Sequence, residues 1–286
     1  MKEYDNYIFD LYGTLIDIHT DEEPQELWQK MADYLKENFE SIYTSKSLRK
    51  RYLEICAEEE KKLQKANGAE FPEIKIEKVW VRLIKEGVKK SDSDSKIHEA
   101  VINESDVEFE DSMEIHSLCV FFRENSRDKL IVYDGVIDTL NTLKSKGKGI
   151  FLLSNAQRAF TEKELELAGL TDFFDDIFIS SDKGIKKPQK EFLEKLLKEN
   201  RLSKDNCVMI GNDIFSDVGV AFKNGMESVF LNTYDYSEKK IDKELTELGI
   251  KGSRLMPVIA IDGDIRRILE NEERRGINNA GQITKA

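Results

Sequence analysis

The chain has 286 residues, 40% of them hydrophobic, enough to bury the core of one large domain or two ordinary ones. Its 56 acidic against 44 basic residues give a formal net charge of -12, which repels phosphate backbones and anionic lipid and argues against nucleic acid or membrane as partners. Neither a signal-length apolar stretch at the N-terminus nor a membrane-length apolar run occurs, and Cys56, Cys119 and Cys207 share no ligand spacing, so a cytoplasmic protein with reduced thiols is expected.

The first element is the short apolar run "YIF", which ends on Asp10 and breaks at once into a Tyr-Gly-Thr turn. Next comes a glycine-poor region: of 16 glycines only Gly68 and Gly87 fall between residues 17 and 133. Within it, residues 24–43 and 45–66 place apolar residues at three-and-four spacing among many charges, with Pro24 suited to a helix start. This stretch reads as a helical insert, and "KKSDSDSK" (89–96) reads as a polar turn inside it. Trp28, Trp80 and the Phe121–Phe122 pair read as the insert's own core.

From residue 134 onward short apolar runs alternate with amphipathic helices, the pattern of a parallel sheet covered on both faces. Strands are expected at "GIFLLS" (149–154), "DIFIS" (176–180), "CVMIG" (207–211), "SVFLN" (228–232) and "PVIAI" (257–261). The spacing predicts helices over 135–147, 161–170, 188–200 and 216–225. The division that follows is an α/β core from 1–16 and 134–270, a helical cap over 17–133, and a polar tail over 271–286.

In an open α/β sheet ligands collect at the carboxyl ends of the strands. The residues there are Asp10, then Ser154 and Asn155, then Lys186 and Lys187 before Pro188, then Asn212, Asp213 and Asp217. Together they offer a carboxylate nucleophile, neutral donors, a cation and a further acidic pair. Neighbouring carboxylates repel one another and any phosphate unless a divalent cation lies between them, and magnesium suits oxygen ligands of this kind.

Four stretches in this order, "FDLYGTL", "LLSNA", "IKKPQKEF" and "IGNDIFSDV", resemble the haloacid dehalogenase (HAD) superfamily of aspartate-nucleophile hydrolases. The resemblance implies a Rossmann-like sheet, with the helical insert in the position of that superfamily's cap. It implies Asp10 as nucleophile and Lys187 as the neutralising cation, a part that Lys186 could also take. Ser154, Asn155 and Tyr12 would meet substrate. A Mg2+ ion would be held by Asp10, the Tyr12 carbonyl and Asp213, with Asp217 as a ligand or a loop anchor.

Two departures from the resemblance pull in opposite directions. Phosphatases of the superfamily usually carry an acid–base aspartate where this chain has Tyr12, and a positioned proton donor is worth about 10²- to 10⁴-fold in rate. The "D-x-Y-G-T" pattern is familiar instead from the dehalogenases, whose halide leaves without a proton. Dehalogenases, however, carry an amide pattern where this chain reads "NDIFSD". The resulting expectation is a magnesium-dependent phosphatase of a small phosphorylated metabolite. A metal-independent 2-haloacid dehalogenase and a weakly catalytic binding protein are the alternatives.

Overall fold

The computed structural model describes residues 3–88 and 105–270; the polar turn over 89–96 and the tail over 271–286 lie outside them. Six strands form one parallel sheet: β1 (Asn6–Phe9), β4 (Gly149–Ser154), β5 (Asp176–Ile179), β6 (Cys207–Gly211), β7 (Glu227–Leu231) and β8 (Val258–Ala260). Their order is β5-β4-β1-β6-β7-β8, so the chain winds outward on one side of β1 and then returns to wind outward on the other. Ligand crevices open at such a reversal, here above the carboxyl ends of β1 and β6.

The four central strands are short, apolar and almost wholly buried because helices cover both faces. Alternate residues take opposite sides. Tyr7, Phe9, Ile150, Leu152, Val208 and Ile210 pack in one cluster with Leu140 and Leu143 of the helix Val136–Ser145. Ile8, Phe151, Leu153, Cys207 and Met209 pack in another with Phe192 and Leu196 of the helix Lys190–Glu199.

The glycine-poor region is helical, but strands flank it. β2 (Ile16–Thr20) pairs antiparallel with β3 (Arg127–Val132), Ile16 opposite Val132 and Ile18 opposite Leu130. These residues pack on the α/β core, so the helices proper span Gln25 to Ser126. The ribbon went unmarked in the sequence because its first half sets Asp17 between two aliphatics and its second opens on three charged residues, and its pairing joins residues more than a hundred positions apart.

Within the helical segment, α1 (Gln25–Phe39) stops where Glu40 turns left-handed, at φ 55°. Thr44 and Ser47 cap the next helix, α2 (Ser45–Asn67), reciprocally, and Gly68 closes it. With α3 (Ile76–Gly87) and the helix Met113–Ser126 they bury Trp28, Tyr52, Trp80 and Phe122 in one aromatic cluster. The expected core role of Trp28, Trp80 and Phe122 is what the structure shows, with Phe121 packed at its edge.

The loop between α2 and α3 docks on the α/β core beside the crevice. Phe71 O accepts from Lys186 N (3.0 Å), and Glu73 N donates to Gly184 O (3.2 Å). The Gln189 amide oxygen accepts from Glu70 N and Phe71 N, both at 3.1 Å. Among the described residues no helix is long and apolar enough to cross a membrane.

Candidate active site

Asp10 directly follows β1 and is held by its backbone, whose N–H donates to Ile210 O at 2.9 Å. Its carboxylate is nearly buried and fully engaged: Oδ1 lies 2.7 Å from Lys187 Nζ, and Oδ2 accepts from Thr14 Oγ1 at 3.0 Å. The same Lys187 ammonium donates to Asp217 Oδ1 at 2.7 Å, so one buried cation bridges two buried carboxylates. Lys186 turns elsewhere, with Nζ 3.7 Å from Glu73 Oε2, so the bridging lysine is Lys187.

Lys187 is positioned by Asn155. The Asn155 amide donates to Lys187 O at 3.0 Å and accepts from Lys187 N at 2.8 Å, fixing the peptide that carries the ammonium. Ser154, the last residue of β4, is fully buried, and its hydroxyl has no hydrogen-bond partner among the described residues. A buried hydroxyl without a partner carries a free-energy cost that an incoming acceptor oxygen relieves.

After β6 the chain makes a π-helical turn, Ile214–Val218. Asp217 lies beneath it, with Oδ2 accepting from Asp213 N at 3.0 Å. Gly211 makes this possible, because a Cβ there would stand 2.2 Å from Asp217 Oδ2. Asp213 is exposed at the mouth, and its Oδ1 caps Ser216 N at 2.6 Å. Asn212 is the residue that reaches inward, its Oδ1 3.3 Å from Thr14 Oγ1. Gly13, at φ +81°, leaves room for it, since a Cβ there would lie 2.2 Å from Asn212 Nδ2.

Electrostatics follow this geometry. Burial pushes the Asp217 carboxyl up to about 7 despite the Lys187 charge, with Asp10 pushing the same way. Burial alone would lower the Lys187 ammonium, but Asp10 and Asp217 together hold it above its ordinary value. The cleft over these groups has a volume of about 190 Å³ and is lined by Asp10, Tyr12, Asn155, Lys187, Asn212, Asp213, Ser216, Asp217 and Tyr234.

Tyr12 has a second attachment that the sequence reading missed. Its phenol donates to Glu164 and lies 3.1 Å from Thr161 Oγ1, both on the helix Arg158–Leu167. Glu164 is itself buried and takes Arg123 Nε at 2.7 Å and Arg127 Nη1 at 2.6 Å. Burial and the neighbouring Glu164 charge hold the Tyr12 phenol well above its ordinary range. The sequence did carry a signal: Glu164 sits four residues after Phe160 and just before Leu165, an acid on an otherwise buried helical stripe.

Mg2+ favours a hard, all-oxygen donor set, and the cleft is lined by Asp10, Asp213, Asp217 and Tyr12. Among the described residues no three acidic, histidine or cysteine side chains converge into a complete metal site. Both Asp217 oxygens are already engaged. A cation here fits only with much of its shell from water and substrate, which is the usual manner of Mg2+.

A sequence profile of the haloacid dehalogenase-like hydrolases matches residues 4–225. The chain belongs to that family. Among curated HAD relatives, it is 33% identical over 110 residues to the glyceraldehyde 3-phosphate phosphatase of Pyrococcus furiosus, covering 38% of this chain and 45% of that one. It is 31% identical over 113 residues to pyrophosphatase PpaX of Halalkalibacterium halodurans (38% and 53%) and 28% identical over 101 residues to pyrimidine 5'-nucleotidase YjjG of Escherichia coli (35% and 44%). The chain thus spans about half the length of the curated relatives it matches. Its fold is that of a dehalogenase crystallised with an intermediate, at 16% identity and a TM-score of 0.50 over 95% of this chain and 100% of the other.

Proposed function

We propose that this HAD hydrolase is a magnesium-dependent phosphatase of a small phosphorylated metabolite, acting through an aspartyl-phosphate on Asp10. The observation that carries the reading is the cleft lining: charged and polar groups with two tyrosines and, among the described residues, no aliphatic side chain to cradle a carbon–halogen bond. A phosphoryl group has three oxygens to satisfy. The unpartnered Ser154 hydroxyl and the Lys187 ammonium suit them.

In this mechanism Asp10 Oδ attacks phosphorus and the bond to the leaving group breaks. Thr14 and Lys187 orient the attacking carboxylate, and Lys187 also neutralises charge developing on the phosphoryl oxygens. Asn155 keeps the Lys187 peptide in register, and Asp217 anchors the ammonium from the other side. Magnesium, held by Asp10, the Tyr12 carbonyl and Asp213 or a water on Asp217, would supply charge neutralisation and Lewis-acid polarisation of the phosphate. The helical segment between β2 and β3 serves as the cap, excluding water and choosing the substrate. The free cysteines Cys56, Cys119 and Cys207 suit a cytoplasmic location.

One observation favours a second reading. The Tyr12 phenol is committed to Glu164, and a halide leaving group needs no proton, so a metal-independent 2-haloacid dehalogenase uses the same nucleophile. The test is direct. Magnesium-dependent hydrolysis of 4-nitrophenyl phosphate, falling by at least about 10³-fold in Asp10→Asn, is the expected result for loss of the nucleophile. Chloride release from 2-chloropropionate in excess chelator, with no phosphatase activity, would sink it in favour of the second reading.

A further inference from the structure

A phosphate ester of an alcohol releases its alcohol readily only when the departing oxygen takes up a proton as the P–O bond breaks. A donor for that oxygen has to line the cleft and hold its proton at neutral pH. The Tyr12 hydroxyl is turned away to Glu164, on the helix Arg158–Leu167. A second phenol, that of Tyr234, lines the cleft together with Asp10 and belongs to a residue that is 49% exposed.

Tyr234 is held by the loop that follows β7. Thr233 Oγ1 donates to Gly13 O at 2.6 Å, which ties this loop to the nucleophile loop. Asn232 clasps the far side: its Oδ1 accepts from Tyr236 N at 2.8 Å, its Nδ2 donates to Tyr236 O at 3.0 Å, and the Tyr236 ring packs 6.0 Å from that of Tyr234. The Tyr234 hydroxyl stands over Gly13. A Cβ on that glycine would lie 2.7 Å from the hydroxyl as well as 2.2 Å from Asn212 Nδ2, so the missing side chain is what lets phenol and amide meet. Asn212 turns its Oδ1 to Thr14 Oγ1 at 3.3 Å, which leaves its Nδ2 to donate to the Tyr234 oxygen. The phenol accepts in this pair and keeps its own hydrogen for the cleft. Burial raises the phenol above its ordinary value, and the Asn212 hydrogen bond offsets only part of this, so Tyr234 is protonated at neutral pH.

We propose that Tyr234 is the general acid and base of this site, donating its phenolic proton to the leaving oxygen of a phosphate ester. The inference rests on the phosphoryl-transfer reading above. A phosphate seated on Asp10 fills most of a cleft of about 190 Å³, which brings its bridging oxygen within reach of the phenol. In the first step the Asp10 Oδ–P bond forms, the P–O bond to the leaving group breaks with its electron pair on that oxygen, and the Tyr234 proton passes to it, releasing a neutral alcohol. In the second, water attacks phosphorus, the P–O bond to Asp10 breaks, and the water proton returns to the Tyr234 phenolate. Between the two steps the Asn212 amide steadies the phenolate through the hydrogen bond it already makes.

The experiment measures kcat/KM of the full chain in magnesium for glycerol phosphate, acetyl phosphate and a graded set of aryl phosphates, with phosphate trapped on Asp10 followed by mass spectrometry. Acetyl phosphate releases a carboxylate, stable as an anion, and needs no donor. Tyr234→Phe keeps the ring that packs on Tyr236 and removes only the hydroxyl. In this variant the ratio of kcat/KM for glycerol phosphate to that for acetyl phosphate should fall by at least about 10²-fold, and the dependence on leaving-group pKa should steepen. Tyr236→Phe should keep the slope of the parent. A merely structural loss, through a displaced Asn212, would lower every substrate by one factor and leave ratio and slope alone. That outcome, a series already steep in the parent, or a slope that steepens in Tyr12→Phe and not in Tyr234→Phe, overturns the inference while phosphate on Asp10 keeps the phosphoryl-transfer reading alive. Absence of phosphate on Asp10 with every substrate removes that reading and this inference with it.

Discussion

Two buried ionic clusters flank the nucleophile, and they are built in opposite senses. On the cleft side one cation, Lys187, is shared by two carboxylates, Asp10 and Asp217. Behind the loop one carboxylate, Glu164, is shared by two guanidiniums, Arg123 and Arg127. The effect on the carboxylates is opposite as well. Burial wins at Asp217 and pushes it up to about 7, whereas at Glu164 burial is outweighed by Arg123, Tyr12 and Arg127, which hold it below the ordinary range. The first cluster is short of positive charge and can take more, as a site for a cation and a phosphoryl group must. The second is satisfied, and acts as a brace between the nucleophile loop, the core helix and the end of the helical segment.

The contrast is broken most severely at Lys187. Removing the shared cation leaves Asp10 and Asp217 buried without their counter-charge, so Lys187→Met should destabilise the fold by about 3–5 kcal/mol in urea unfolding at neutral pH. Because Met keeps an apolar stem of similar reach, lost packing contributes little. An unchanged midpoint would mean that the two carboxylates do not need the ammonium, and the asymmetry between the clusters would be void.

At Glu164 the expected effect is smaller. Arg123 and Arg127 side chains are 11% and 15% exposed, so their charges retain some water when the carboxylate is removed. Glu164→Ala should cost about 2–3 kcal/mol, the range for a charged hydrogen-bonded group. In a double-mutant cycle with Arg127→Ala, about 1 kcal/mol of coupling should appear. Zero coupling would mean that Arg127 and Glu164 act independently and that no brace exists.

How far the sequence could anticipate these clusters depends on the range over which each is assembled. The strands of the sheet were legible because each is a local apolar run, and Asp10, Ser154, Lys187 and Asp217 were legible because each follows such a run or precedes a recognisable turn. The β2–β3 ribbon was not, since its register joins Ile16 to Val132. The orientation of the β6 loop was also hidden. Asp213 and Asn212 are adjacent, and only the π-helical turn, with Gly211 making room for Asp217, decides that the amide faces Thr14 while the acid caps Ser216 at the surface. Glu164 met its partners through three separate elements, a convergence that no local pattern encodes.

A further, partly buried carboxylate sharpens the comparison, because it has less positive charge near it than either cluster. Glu73, in the docked loop, is 14% exposed and accepts from Gln157 Nε2 (3.0 Å) and Ser180 Oγ (3.2 Å), with Lys186 Nζ at 3.7 Å. Burial raises it, and the lysine and serine offset this only in part. With a folded pKa above the unfolded one, the native state holds the extra proton. Its contribution is therefore fully present below the unfolded carboxylate range and is lost as pH rises through the folded value. Glu73→Gln keeps the acceptor for Gln157 and removes the charge. It should stabilise the protein by a few tenths to about 1 kcal/mol at pH 7, with the gain shrinking as pH falls toward the range of an unperturbed glutamate. Thermal unfolding across that pH window reads the effect. A Gln variant less stable at pH 7 than at pH 4, relative to the parent, would show that Lys186 satisfies Glu73 as fully as two arginines satisfy Glu164.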